Sequence, residues 1–132
     1  MHLLRYIRFG RGAGSLADAD KNIEVVFYRT VSGNEPVRDW LKSDVSEADR
    51  KRIGTDIKAA EYGWPIGMPV CRPMGDGLHE IRSSLPGKRI ARVLFCVEGG
   101  RMVLLHGFIK KTPKTPKAEL DLAKNRKKEI SG

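Results

Sequence analysis

Arg82, Arg92, Lys111 and Glu80 are the side chains whose types and spacing offer chemistry in this sequence. They lie in the stretch GLHEIRSSLPGKRIARVLFCVEGGRMVLLHGFIKK, Gly77 to Lys111, which predicts three consecutive antiparallel strands. The last two strands meet at Gly99-Gly100, a dipeptide that accepts the positive backbone angles of a tight hairpin. Pairing Glu98 with Arg101 across those glycines sets Arg92 opposite Gly107. Alternation then places Arg92, Ile109 and Lys111 on one sheet face and His106, Phe108 and Lys110 on the other. By the same parity Glu80 and Arg82 share a face of the preceding strand. A cluster of Arg82, Arg92 and Lys111 concentrates cations over a small area, which suits a bound phosphate and the charge that develops on it during transfer. Glu80 is a candidate general base, with ion pairing to a neighbouring arginine as its competing role. His106 is of the acid-base type, but this register turns it toward the helices as a hydrogen-bonded core residue; a bulge at Gly99-Gly100 would reverse that.

The elements that position these residues follow from periodicity and punctuation. Arg92 to Val97 and Met102 to Leu105 run almost unbroken in apolar residues, the pattern of strands covered on both faces. Ile23 to Arg29 is β-branched and aromatic and predicts a first strand. Asn34 is a candidate cap for a short helix with Pro36 in its first turn and a stripe at Val37, Trp40 and Leu41. Ser46 to Asp49 resembles a capping box, and Ile53, Ile57, Ala60 and Trp64 give the next helix one apolar face. Gly63 and Pro65 end it, and Arg50, Lys51 and Arg52 fall on its solvated side. Pro65 to Gly75 is a connector broken by three prolines, with Met68, Val70 and Met74 packing beneath it or forming a short edge segment. Beyond the strands, Thr115 is placed to cap a last helix with Pro116 at its first position, running to about Ile130 on a thin stripe of Leu120, Ala123 and Ile130.

At 132 residues the chain has room for one core. We expect a flexible extension over residues 1–22, whose Arg5, Arg8 and Arg11 form a possible basic arm, and a single domain over 23–132. Net charge is +9, which points to a polyanionic partner. The excess is local: Ile23 to Gly63 holds seven Lys and Arg against eight Asp and Glu, whereas Arg101 to Gly132 holds nine against three. Cys71 and Cys96 have no metal-ligand spacing and are expected as reduced thiols; no His, Asp, Glu or Cys cluster calls for a metal or other cofactor. No apolar run approaches the roughly 20 residues of a bilayer span, and no signal-peptide pattern is present, so the expected location is the cytoplasm without membrane association.

Several segments together resemble the RelE/ParE superfamily of toxins from bacterial type II toxin-antitoxin systems, most closely its phage-derived, HigB-like branch. They are Val26 to Arg29 with Glu35 to Arg38, Gly77 to Arg82, Arg92 to Val97, Val103 to Phe108 and Lys110 to Pro116. The likeness covers about Ile23 to Ile130. It implies an α+β fold: a twisted, antiparallel (mixed) four-stranded sheet with two N-terminal helices on one face, a C-terminal helix, and a shallow basic surface on the other face. It implies a ribosome-dependent, metal-independent mRNA endonuclease, with 2'-hydroxyl attack on the adjacent phosphate. A cognate antitoxin, of helix-turn-helix type, would neutralise it, and operator DNA would be met only through that complex. Arg82, Arg92 and Lys110 or Lys111 match the basic catalytic positions; Lys110, Lys114, Lys117, Lys124, Arg126 and Lys127 would line the RNA. Related toxins carry a C-terminal tyrosine or histidine for proton transfer, and this chain has neither after His106. The alternatives are a ParE-like toxin that binds DNA gyrase without cutting nucleic acid, and an inert antitoxin-binding or co-repressor module.

Overall fold

A computed structural model describes residues 21–131. Arg5, Arg8 and Arg11, and the extension they belong to up to residue 20, lie outside the described residues. The elements follow the order β1 (Glu24–Phe27), α1 (Pro36–Asp39, continued by a π turn over Trp40–Asp44), α2 (Glu47–Gly63), β2 (Cys71–Gly75), β3 (Leu78–Leu85), β4 (Arg89–Glu98), β5 (Arg101–Lys110) and α3 (Lys117–Ser131).

The sheet is mixed and has five strands, in the order β1-β5-β4-β3-β2. The expected four become five because the connector supplies β2. Pro73 is tolerated there because β2 is an edge strand, and the ladder is interrupted between Pro73 and Gly75. β1 is parallel to β5, while the other neighbours are antiparallel.

Both sheet faces are covered, which is why β4 and β5 read as continuous apolar runs. Val25, Phe27, Ile81, Val93, Phe95 and Leu104 pack beneath Val37, Leu41, Ile53, Ile57 and Ala60 of α1 and α2. Val26, Leu78, Leu94, Cys96, Leu105 and Phe108 pack beneath Ala123 of α3, with Leu120 and Ile130 at its margin. Cys71 and Cys96 belong to opposite layers as buried free thiols, and burial pushes both up to about 11.

A local signal sets the start of α2. The Ser46 hydroxyl accepts from the Asp49 amide at 3.2 Å, as the capping pattern predicts. The Asp49 carboxylate instead reaches Arg89 with two hydrogen bonds, 2.7 and 3.3 Å, which hold its pKa below the ordinary carboxylate value and tie α2 to the start of β4. Arg50 is not a solvated side chain: it donates to the carbonyls of Leu41 (2.8 Å) and Val45 (3.2 Å), satisfying the end of the π turn. Asn34 does not cap α1. The N-cap is Glu35, with no side-chain bond, and the Asn34 amide closes onto the Thr30 hydroxyl.

Trp64, His79 and Phe95 form a three-ring cluster with centroids 5.1–5.5 Å apart. Burial holds the His79 pKa below its ordinary value, because the imidazolium is disfavoured there. The unfolded chain therefore binds the proton more readily, so stability falls as pH drops below about 6.5. We expect the urea midpoint to decline from pH 7 to 5.5 more steeply than in His79→Phe; parallel declines would contradict this.

A candidate anion site between the sheet and helix α3

Strand register brings the chemistry-bearing residues into two adjacent rows. One row runs Phe108–Arg92–Arg82 across β5, β4 and β3; the next runs His106–Leu94–Glu80–Arg72 and extends to β2. This differs from simple hairpin counting. Glu98 does pair with Arg101, but the register slips beyond Phe95: Phe95 faces Leu104, Leu94 faces His106, and Leu105 is the extra residue. Leu105 packs in the α3 layer, and its neighbour His106 meets Glu119 of α3, so both turn to the same face. From there the parity reverses. Arg92 stands opposite Phe108, not Gly107, and His106, Phe108 and Lys110 share its face. Lys111 lies just past β5, exposed, and is not brought into the cluster. The bulge carbonyl of Leu105 is satisfied from α3: Arg126 donates to it at 2.8 Å while lying over the Tyr28 ring at 5.4 Å.

Glu80 is the centre of the rows. It is fully buried, accepts a hydrogen bond from the Thr115 hydroxyl, and has three guanidinium groups around it. Arg92 Nε lies 3.5 Å away, Arg82 Nη1 3.8 Å and Arg72 Nε 3.9 Å. Three cations to one carboxylate leave a surplus of two positive charges in this small volume. Thr115 thus spends its hydroxyl on Glu80 rather than on capping α3.

Arg92 is also fully buried. Its Nη2 donates to the carbonyls of Thr112 (2.7 Å) and Pro113 (2.8 Å), so the segment after β5 crosses over it. Among the described residues, Arg92 Nε and Nη1 and Glu80 Oε1 have no hydrogen-bond partner. Burial pushes the Arg92 pKa below the ordinary guanidinium value; Arg82 and Arg72 push the same way, and Glu80 pulls it back. This face is therefore not the open, shallow surface expected: residues 112–116 and α3 lie on it. Arg82 and Arg72 keep a route to solvent, with side chains 20% and 34% exposed.

A second polar group flanks α3 on the β5 side. His106 Nε2 is 2.5 Å from Glu119 Oε1, and Lys110 Nζ is 3.1 Å from the other Glu119 oxygen. Burial raises the Glu119 pKa, but bonds from His106 and Lys110 outweigh it and hold the carboxyl below its ordinary value. The His106 ring stacks on Phe108 at 5.5 Å, and Phe108 lies 6.0 Å from the Arg92 guanidinium.

The remaining predicted nucleic-acid contacts are distributed over the strap and α3. Lys114 is exposed, Lys117 pairs with Asp121 at 2.8 Å, Lys124 with Asp76 at 3.1 Å, and Lys127 packs against Gly77. Sequence reasoning missed Arg72. Its signal was available, since Arg72 is the single charged residue between Pro65 and Gly75. Among the described residues, no group of three or more His, Cys, Asp or Glu could hold a metal ion, and no helix is long and apolar enough to cross a membrane.

No curated protein matches the chain. A family model described as Phage derived protein Gp49-like (DUF891) matches residues 39–128, from the end of α1 into the last turns of α3, and so spans every residue of both rows. The chain therefore belongs to the Gp49-like family of phage-derived proteins.

Proposed function

We propose that this protein is the toxin of a bacterial type II toxin-antitoxin pair, of the RelE/HigB type, and that it cuts mRNA on the ribosome without a metal ion. The observation that carries this reading is the three-arginine cluster around one buried carboxylate, with a two-charge surplus and with Nε and Nη1 of Arg92 lacking a hydrogen-bond partner. A phosphodiester supplies the missing anion. In the reaction, the ribose 2'-hydroxyl gives its proton to solvent water and attacks the adjacent phosphorus; the bond to the 5'-oxygen breaks, that oxygen takes a proton from water, and a 2',3'-cyclic phosphate remains. Arg82 stabilises the charge gathering on the non-bridging oxygens, and Arg92 adds its field from below. Glu80, surrounded by guanidinium groups, holds these cations in place rather than serving as the base. Exposed Lys111 and Lys114, with Arg126 and Lys127 of α3, extend positive charge along the strand's path, and Lys110, Lys117 and Lys124 join them by exchanging their carboxylate partners for phosphates. A cognate antitoxin in the bacterial cytoplasm neutralises the protein, and operator DNA is met only through that complex.

Arg82→Ala is the informative substitution, because Arg82 reaches solvent and its loss leaves the Glu80–Arg92 pair in place. Expressed without an antitoxin, the native chain should arrest translation and leave messages cut within codons on ribosomes. Arg82→Ala should fold with an unchanged circular dichroism spectrum and lose at least about a hundredfold in cleavage, the scale of one transition-state donor. Intact messages with trapped gyrase-DNA complexes would replace this reading with a gyrase poison. Unaffected growth on expression of the native chain would replace it with an inert antitoxin-binding module.

A further inference from the structure

We infer that Arg72, contributed by the edge strand β2, is a phosphate-binding residue that turns the Arg82–Arg92 pair into a three-sided seat for one RNA phosphate group. This rests on the reading of that cluster as a phosphate site, and not on the chain being a nuclease.

Arg72 has little structural reason to stand where it does. Glu80 is already balanced in charge by the buried Arg92 at 3.5 Å, so neutralising the carboxylate does not require a second or third cation. Arg72 and Arg82 approach the same oxygen, Glu80 Oε1, at 3.9 and 3.8 Å, beyond hydrogen-bond length; the Arg82 backbone amide donates to the Val70 carbonyl, but neither guanidinium donates a hydrogen bond to a described residue. Two guanidinium groups are thus drawn together by one carboxylate, with their donors uncommitted.

That arrangement has a cost which an anion removes. The positive fields of Arg82 and Arg72 act on Arg92 and on each other, and no second carboxylate among the described residues lies within ion-pair distance of Arg72 or Arg82. With both groups within 4 Å of one atom, their nearest nitrogens are less than about 8 Å apart, a gap that one tetrahedral phosphate bridges with a charge-assisted bond to each side. Arg72 and Arg82 are the two part-exposed members, and the fully buried Arg92 lies beneath them, its Nε ion-paired with Glu80 at 3.5 Å and its Nη1 without a hydrogen-bond partner. The occupant enters from the β2–β3 side, clear of the 112–116 strap.

The test uses the full chain and a fluorescently labelled 2'-O-methyl RNA hexamer, which cannot be cleaved because its 2'-oxygen is blocked. Fluorescence anisotropy over a range of salt concentrations gives the affinity and its salt slope. Arg72→Ala should weaken binding about tenfold and make the slope of log K against log salt shallower by about 0.7, the signature of one lost single-strand phosphate contact. Arg72→Lys should keep the slope, and inorganic phosphate should compete better with the hexamer on the native chain than on Arg72→Ala. Lys51→Ala, on exposed α2, should change neither quantity. An Arg72→Ala affinity within twofold of native, or an unchanged slope, overturns the inference even if messages are cut. If Arg72→Ala shows both losses while the native chain cuts no message, the inference stands and the nuclease reading alone falls.

Discussion

Glu80→Ala should cost the fold about 3–5 kcal/mol, the range for removing one partner of a buried ion pair. The substitution leaves Arg92 fully buried with no carboxylate beside it, two further guanidinium groups turned on the vacancy, and the Thr115 hydroxyl without its acceptor. The damage should extend beyond the cluster, because Thr115 is where the chain turns from the strap into α3. Equilibrium urea unfolding followed by circular dichroism measures the cost directly. A Glu80→Leu/Arg92→Leu double variant separates the origin of the loss: replacing both charges with apolar side chains removes the unpaired charge, so it should recover most of the stability. A single-variant cost below about 1 kcal/mol would mean that Arg92 has another anion or water within reach. The experiment also bears on mechanism. A glutamate whose loss unfolds the α3 face acts through the arginines it positions, and cleavage by Glu80→Ala cannot be assessed until folding has been measured.

Some local signals hold in the structure, while the Asn34 and Thr115 cap signals do not. Ser46 begins α2, Gly63 ends it, Glu98 pairs with Arg101, and the last helix runs as its stripe requires. Parity across the central hairpin was not legible. A strand's alternation fixes faces only up to a one-residue insertion, and the insertion at Leu105 sits in an unbroken apolar run with no glycine or proline to mark it. That one residue exchanged Lys111 for Lys110 and moved His106 to the face of Arg92. β2 was obscured for the opposite reason: Pro73 argues against a strand unless it is known to lie at an edge, which is a property of the assembled sheet. The burial of Arg92 depends on residues 112–116 crossing over it. Spacing within β4 holds no information about that crossing.

Gly107→Ala should be the most damaging single-methyl change in the sheet. A Cβ at this position would lie 2.4 and 2.5 Å from two carbons of the Trp40 ring and 3.0 Å from a third, far inside contact distance. Gly107 is needed for closeness, since its backbone is not left-handed and the ring lies directly on the strand. Trp40 cannot easily withdraw, because it packs on the core of the α1–α2 layer at the start of the π turn that Arg50 closes. Overpacking of this kind costs about 1–3 kcal/mol, and the severity of these contacts favours the upper end. Trp40→Leu should be destabilising alone through lost burial, yet Gly107→Ala placed on that background should cost at least about 1 kcal/mol less than on the native one. Urea midpoints of the four proteins in this cycle measure the coupling. Additive losses would show that the ring does not lie on Gly107 in solution, and would also unsettle the register around it. Gly107 sits between His106 and Phe108, so the contact that forbids a methyl on one face holds both of those side chains against α3 on the other.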